Sequence, residues 1–169
     1  MAILPILVAP HPVLKAKSKP VSKVDDEVRK LMDDMLETMY AAPGVGLAAP
    51  QVGVGRRIVV IDVAGKDEPP APLFLVNPEV VWQSEELSVY EEGCLSVPKQ
   101  YADVERPARV RVRYLDRDGK RQEVEGDGLL AVCLQHEIDH LDGTLFIDHL
   151  SLLKRNIILR KVKKERAAL

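Results

Sequence analysis

The stretch DGLLAVCLQHEIDHLDG, residues 127–143, limits the fold more than any other part of the chain. Its apolar residues fall on nearly every face of a helix, so no side of it suits water. Such a helix belongs at the centre of a molecule, with other elements wrapped around it. Asp127 stands where a capping side chain belongs, and Gly143 stands where a helix stops. Into this apolar setting the sequence places His136, Glu137 and His140 as H-E-x-x-H. The two imidazoles lie one turn apart, about 6 Å in rise, so both can reach one ion. Glu137 points in a neighbouring direction, where its carboxylate can meet a water at the ion without ligating it. The plain alternative is a core helix with two chance histidines and a salt-bridged Glu137.

The elements expected around this helix follow from periodicity. Val28, Leu31, Met32, Met35, Leu36, Met39 and Tyr40 recur at helical spacing, predicting an amphipathic helix over 25–42, capped by Asp25 and ended by Pro43-Gly44. RRIVVID at 56–62 reads as a buried strand, and LFLVNP at 73–78, EVVWQ at 79–83 and LSVYEEG at 87–93 read as three more. Val110, Val112 and Tyr114 alternate before a turn at Asp118-Gly119, which predicts a hairpin ahead of the central helix. A last helix is expected over about 150–166. The order predicts an α+β fold with mostly antiparallel sheets around the H-E-x-x-H helix, plus N-terminal and C-terminal helices. With 169 residues the chain fits one catalytic domain, a body of 1–147 followed by a basic helix of 148–169.

Two histidines leave a metal centre short of a ligand. A third histidine in the longer pattern H-E-x-x-H-x-x-G-x-x-H fails, because Phe146 occupies its place. A downstream glutamate has one representative, Glu165, near the chain end in a basic segment. Cys133 shares the ligand face but lies seven residues from His140, about 10 Å in rise, too far for a short thiolate to share an ion with it. Cys94, in EEGCLS, is the leading candidate; an unpaired structural thiol is its bland alternative. Gly93 before it allows close backbone approach, as a ligand loop beside a packed helix needs. A Cys-His-His set leaves one coordination position open for water, which points to catalytic metal and to hydrolysis.

GVGLAAPQ, residues 44–51, lacks the lysine, the following helix and the third glycine of nucleotide-binding loops. The alternative is an exposed edge whose backbone pairs with an extended peptide, with Gln51 offering an amide donor. GVGLAAPQ, EGCLS and QHEIDHLDG, in this order and at these separations, resemble the three motifs of the peptide deformylases. The resemblance extends over essentially the whole chain. It implies removal of the formyl group from N-formylmethionyl peptides by metal-bound hydroxide, releasing formate. Carried onto this sequence, it implies Cys94, His136 and His140 as metal ligands, Glu137 as general acid/base, and Gln51 with the Leu95 N–H as oxyanion donors. Leu129, Val132 and Cys133, one to two turns before His136, are placed to wall a methionine pocket. The resemblance adds Val45 and Tyr90 to that pocket and peptide-backbone contacts at Val45 and Gly46. Glu92 and Gly93, leading into the ligand loop, count with the substrate-binding residues, and Glu92 is expected to pair with Arg106. Many similar sequences carry arginine seven residues after the ligand cysteine, whereas here it is Tyr101. The resemblance implies one divalent ion, natively Fe2+, with Zn2+, Ni2+ or Co2+ able to substitute.

Composition narrows the setting. No apolar run approaches the roughly 20 residues of a membrane span, and the start, MAILPILVAPHP, carries prolines and no basic n-region, so it reads as no signal peptide. Two cysteines give no disulfide framework, and the expectation is a cytoplasmic bacterial protein. The formal charge of −2 divides into +5 over 148–169 and −7 over the rest. The basic end reads either as a helix packed on the body or as a contact to the ribosome, the latter implied by the resemblance; neither membrane nor DNA is an expected partner. Two rivals remain: a general metallopeptidase using Glu165, and a non-catalytic ribosome-binding module with a closed structural metal. The second needs a fourth ligand, and His11 and His149 lack suitable neighbours in sequence.

Overall fold

The structure, a computed structural model, describes residues 2–167. The apolar helix forms as its pattern demands: α2 spans Gly128–Leu141 and buries ten residues, from Ala131 through Leu141. Gly143 takes the left-handed φ of +79° that ends it. Asp127 occupies the cap position but its side chain caps nothing, which corrects the sequence expectation.

An antiparallel sheet covers α2. Its strands are β1 (Gly46–Ala48), β2 (Ile58–Ile61), β3 (Leu73–Gln83), β6 (Arg109–Leu115) and β7 (Arg121–Asp127), joined in the order β1-β2-β3-β6-β7. The period-2 rule decides which residues meet which helix. On β2, Val59 and Ile61 face α2 and join Leu75, Val112, Leu134, Ile138 and Leu141 in one core. Ile58 and Val60 face the other way, toward α1 (Asp26–Ala41), and pack with Val28, Met32, Met35 and Met39. Each such side chain removed from water contributes about 1.5–3 kcal/mol. Helix α1 starts on Asp25, whose carboxylate accepts the Val28 N–H at 3.0 Å.

A second, two-stranded sheet pairs β4 (Leu87–Cys94) with β5 (Val97–Pro107). Its inner residues Val97 and Val104 pack with Phe146, Ile147, Ile158 and Val162, the last two on α3 (Leu152–Ala167). Helix α3 packs on the body only along that stripe, since Leu152, Leu153 and Ile157 are exposed.

Two strand expectations need correction. Residues 73–83 are one strand rather than two. The apparent break lies at Asn77-Pro78, where Asn77 has φ +51°, the register slips between Val76 and Glu79, and the Asn77 amide clasps the Val21 backbone at 2.8 Å from both its atoms. Strand β5 was not expected at all. VPKQYADVERP carries two prolines and alternates poorly in hydropathy, because one of its inward positions is Arg106, buried only through its ion pairs.

Candidate active site

Helix α2 presents His136 and His140 from consecutive turns, and the end of β4 brings Cys94 over them. Donor atoms of these three residues all lie within 4.8 Å of one another. Cys94 Sγ is 3.3 Å from His140 Nε2, and the two imidazole centroids are 5.0 Å apart. A tetrahedral ion with Zn–N and Zn–S bonds of about 2.0–2.3 Å keeps its donors roughly 3.5 Å apart, so the set fits one ion. Nδ1 of His136 is already engaged with Glu92 Oε1 at 3.0 Å, leaving Nε2 free to ligate. Cys133 is not in the cluster, and Glu165 is exposed on α3. The geometry therefore gathers Cys94 with the two histidines and offers nothing to the Glu165 alternative.

The electrostatics favour a cation at this spot. Burial lowers the affinity of His136 for a proton, but Glu137, Cys94 and Glu92 outweigh it and hold its pKa well above the usual value. Surroundings that draw a proton onto the ring also draw a divalent ion, which would displace that proton. Burial, followed by the charge of His136, keeps the His140 pKa low, so this imidazole stays neutral and available as a ligand. Burial raises the Glu137 pKa to about 7, and Oε1 of Glu137 has no hydrogen-bond partner among the described residues. A carboxyl poised near neutrality can both take and return a proton.

Glu137 lies against β1. A Cβ on Gly46 would fall 2.5 Å from Glu137 Oε2, so only glycine lets this edge pass over the carboxylate. Gly93 plays a different part from the one expected. The group it makes room for is the ring of Tyr101, which a Cβ there would meet at 2.6 Å, and not the backbone of α2. Gln51 is 1% exposed and its amide orientation is fixed: Oε1 accepts the Ala48 N–H at 3.0 Å, and Nε2 donates to Ser96 Oγ at 3.1 Å. The same nitrogen lies 3.5 Å from Cys94 Sγ, facing the ligand cluster.

A cleft of about 650 Å³ opens over these groups, and Val45, Gly46, Tyr90, Leu129, Val132 and Cys133 line it. Gln51, Glu92, Gly93, Cys94, Leu95, His136 and Glu137 also line it, so of the ligand, catalytic and substrate residues that the resemblance implies only His140, fully buried, lies outside the lining. Burial and then the Glu137 charge push the Cys133 thiol up to about 12, so it is a neutral part of that wall. Glu92 does pair with Arg106, at 2.7 and 3.0 Å. Burial alone would raise the Glu92 pKa; hydrogen bonds from His136 and Arg106 more than reverse this and hold it below the ordinary value.

Two residues of the site have no role in the sequence reading: Ser96, and Asp139, which accepts Arg106 Nη1 at 2.8 Å. Ser96 follows Cys94 by two, but nothing in sequence shows that its hydroxyl meets a side chain 45 residues away. Asp139 fills one of the two unspecified positions of H-E-x-x-H, and nothing in sequence pairs it with an arginine 33 residues away.

An α+β scaffold with H-E-x-x-H and a distant cysteine beneath a peptide-sized cleft defines the class of metal-dependent hydrolases. Within that class, residues 3–156 match the polypeptide deformylase family. The peptide deformylase of Phenylobacterium zucineum is 61% identical over 168 residues, 99% of each chain, and that of Mesorhizobium japonicum is 61% identical over 97% of this chain and 93% of its own. Among solved structures, the peptide deformylase from Ehrlichia chaffeensis superposes with a TM-score of 0.95 at 44% identity, covering 99% of this chain and 98% of that one. The enzyme from the same organism in complex with actinonin gives 0.94 at 46% identity, over 98% of each chain. The chain belongs to the polypeptide deformylase family, enzymes that remove the N-formyl group from nascent peptides.

Proposed function

We propose that this chain deformylates N-formylmethionyl peptides through Cys94, His136, His140, Glu137 and Gln51. The observation that carries this reading is the convergence of three donor atoms within 4.8 Å beneath a cleft holding Glu137 and Gln51. The peptide extends along the free edge of β1 at Val45 and Gly46, and its methionine side chain enters the space between Tyr90, Leu129, Val132 and Cys133. A divalent ion on Cys94, His136 and His140, natively Fe2+ with Zn2+, Ni2+ or Co2+ as substitutes, would supply a Lewis acid at the formyl carbonyl. Gln51 Nε2 donates one proton to Ser96, and its second, which faces Cys94 Sγ at 3.5 Å, would turn to the formyl oxygen, where negative charge develops, with the Leu95 N–H beside it. Glu137 takes a proton from the attacking water and hands it to the departing nitrogen as the C–N bond breaks, giving formate and a free amino terminus. Glu92 and Gly93 support the substrate side of the ligand loop, Glu92 by fixing the His136 tautomer.

Residues 1–169 act as one catalytic unit on this reading, with 148–169 as its appended helix. The protein works in the bacterial cytoplasm, where formylated nascent chains arise. The basic face of α3 suits the ribosome, an anionic surface at which such chains emerge. No described helix is long and apolar enough to cross a membrane.

The test is formate release from formyl-Met-Ala-Ser by the parent and by Glu137→Gln at matched metal content. A loss of at least about 10²-fold in kcat is expected when a general acid/base is removed. Unchanged turnover by Glu137→Gln would overturn the assignment.

A further inference from the structure

Phe146 stands where the longer metal-binding pattern has its third histidine, and the deformylase reading leaves it without a role. Its ring lies against the imidazole of His136, centroids 6.1 Å apart and planes inclined by 22°, and the residue is 1% exposed. Phe146 opens a single 3-10 turn, Phe146–His149, between α2 and α3. At the far end of that turn, His149 Nε2 lies 2.9 Å from Asp139 Oδ2. The same oxygen accepts Arg106 Nη1 at 2.8 Å, Arg106 grips both oxygens of Glu92, and Glu92 Oε1 meets His136 Nδ1 at 3.0 Å. One short turn thus reaches the same imidazole by two routes, a stacked ring at its start and a chain of charged hydrogen bonds from its end.

We propose that the turn Phe146–His149 is a clamp on the metal ligand His136, with Phe146 and His149 as positioning residues. The inference rests on the metal-centre reading above. Phe146 opposes tilting of the imidazole, and Glu92 fixes its rotation and tautomer. Arg106 is buried and needs both its carboxylates, since a buried guanidinium that loses a partner is strongly destabilised. Asp139 is 28% exposed and free to turn toward water unless a second donor holds it, and His149 is that donor. Slack at His149 therefore passes through Asp139 and Arg106 to Glu92 and the ligand. The segment that carries α3 thereby sets how firmly the metal is held.

Partners behind a metal ligand are worth about 10–100-fold in metal affinity or activity, and three intervening links reduce that to roughly 3–10-fold for His149. Co2+-loaded protein is mixed with excess chelator, and metal release is followed through the visible absorption of the bound ion. His149→Ala is expected to release cobalt about 5-fold faster than the parent with a shifted absorption band. His149→Gln, whose amide can still donate to Asp139, is expected to return both readouts close to the parent. Phe146→Leu, similar in bulk but without a flat face, is expected to speed release as well; circular dichroism identifies any variant that has lost its fold. Because His149 is partly exposed, its variants decide the matter even if Phe146→Leu does not fold. Release and absorption unchanged in His149→Ala, or equal defects in His149→Ala and His149→Gln, overturn the clamp. His140→Ala separates the two readings: cobalt still held there overturns the metal centre itself, whereas cobalt lost there with His149→Ala unaltered overturns the clamp alone.

Discussion

Single atoms decide whether the site works. Gly46 has no Cβ because Glu137 Oε2 occupies that space, and Gln51 points its NH2 at the ligands because Ala48 fixes its oxygen. These contacts give two expectations. Gly46→Ala has to displace the Glu137 carboxylate, and a misplacement of about 1 Å costs on the order of 10²-fold, so kcat/KM should fall by that much with metal content kept. An unchanged kcat/KM would show that the carboxylate position is not critical. Gln51→Ala should also lower kcat by about 10²-fold, and Ser96→Ala should lower it through loss of the amide orientation. Because Ser96 acts through Gln51, Ser96→Ala added to Gln51→Ala should cost little more; full additivity in this double-mutant cycle would separate the two residues.

At the scale of elements, regular apolar periodicity was readable and compensated polarity was not. Helix α1 announces itself at period 3.6 and α2 as an apolar run ended by glycine. Spacing pairs His136 with His140, elimination leaves Cys94 as the leading third candidate, and the resemblance supplies the full ligand set. Strand β5 hides because Arg106 fills an inward position that only Glu92 and Asp139 make tenable, and those partners come from β4 and α2. The break at Asn77-Pro78 hides because a side-chain clasp on Val21 takes over where the strand register slips. The junction of α2 and α3 depends on another such charge. Asp148 accepts Lys15 Nζ at 2.5 Å and the Leu145 N–H at 2.8 Å, and pairs with Arg155 at 3.0 Å. Burial would raise its pKa, but these partners prevail and hold it below 3.8. A carboxyl whose folded pKa is depressed stabilises the fold above its unfolded pKa, and that contribution fades as pH falls through the folded value. The melting-temperature gap between parent and Asp148→Asn should therefore be full above about pH 5 and close below about pH 4. A gap independent of pH would show that the charge of Asp148 is not what holds the junction.

The whole molecule sets an acidic stretch, residues 1–147, against a basic end, −7 against +5. Exposed cations on α3 attract a polyanion at long range, and salt screens that attraction over a Debye length of about 8–10 Å. Co-sedimentation with ribosomes should accordingly weaken with salt and disappear when residues 150–169 are removed; salt-sensitive sedimentation that survives the deletion contradicts this partner. The proposed metal centre would tie the two-stranded sheet to the central helix, since its sulfur lies at the end of β4 and its nitrogens on α2. X-ray absorption at the zinc edge of the Zn2+-loaded protein tests that union most directly. The expected sphere has one sulfur at about 2.3 Å and two imidazole nitrogens at about 2.0–2.1 Å, with the sulfur lost in Cys94→Ser. A sphere without sulfur in the parent, or one unaltered by Cys94→Ser, contradicts the account.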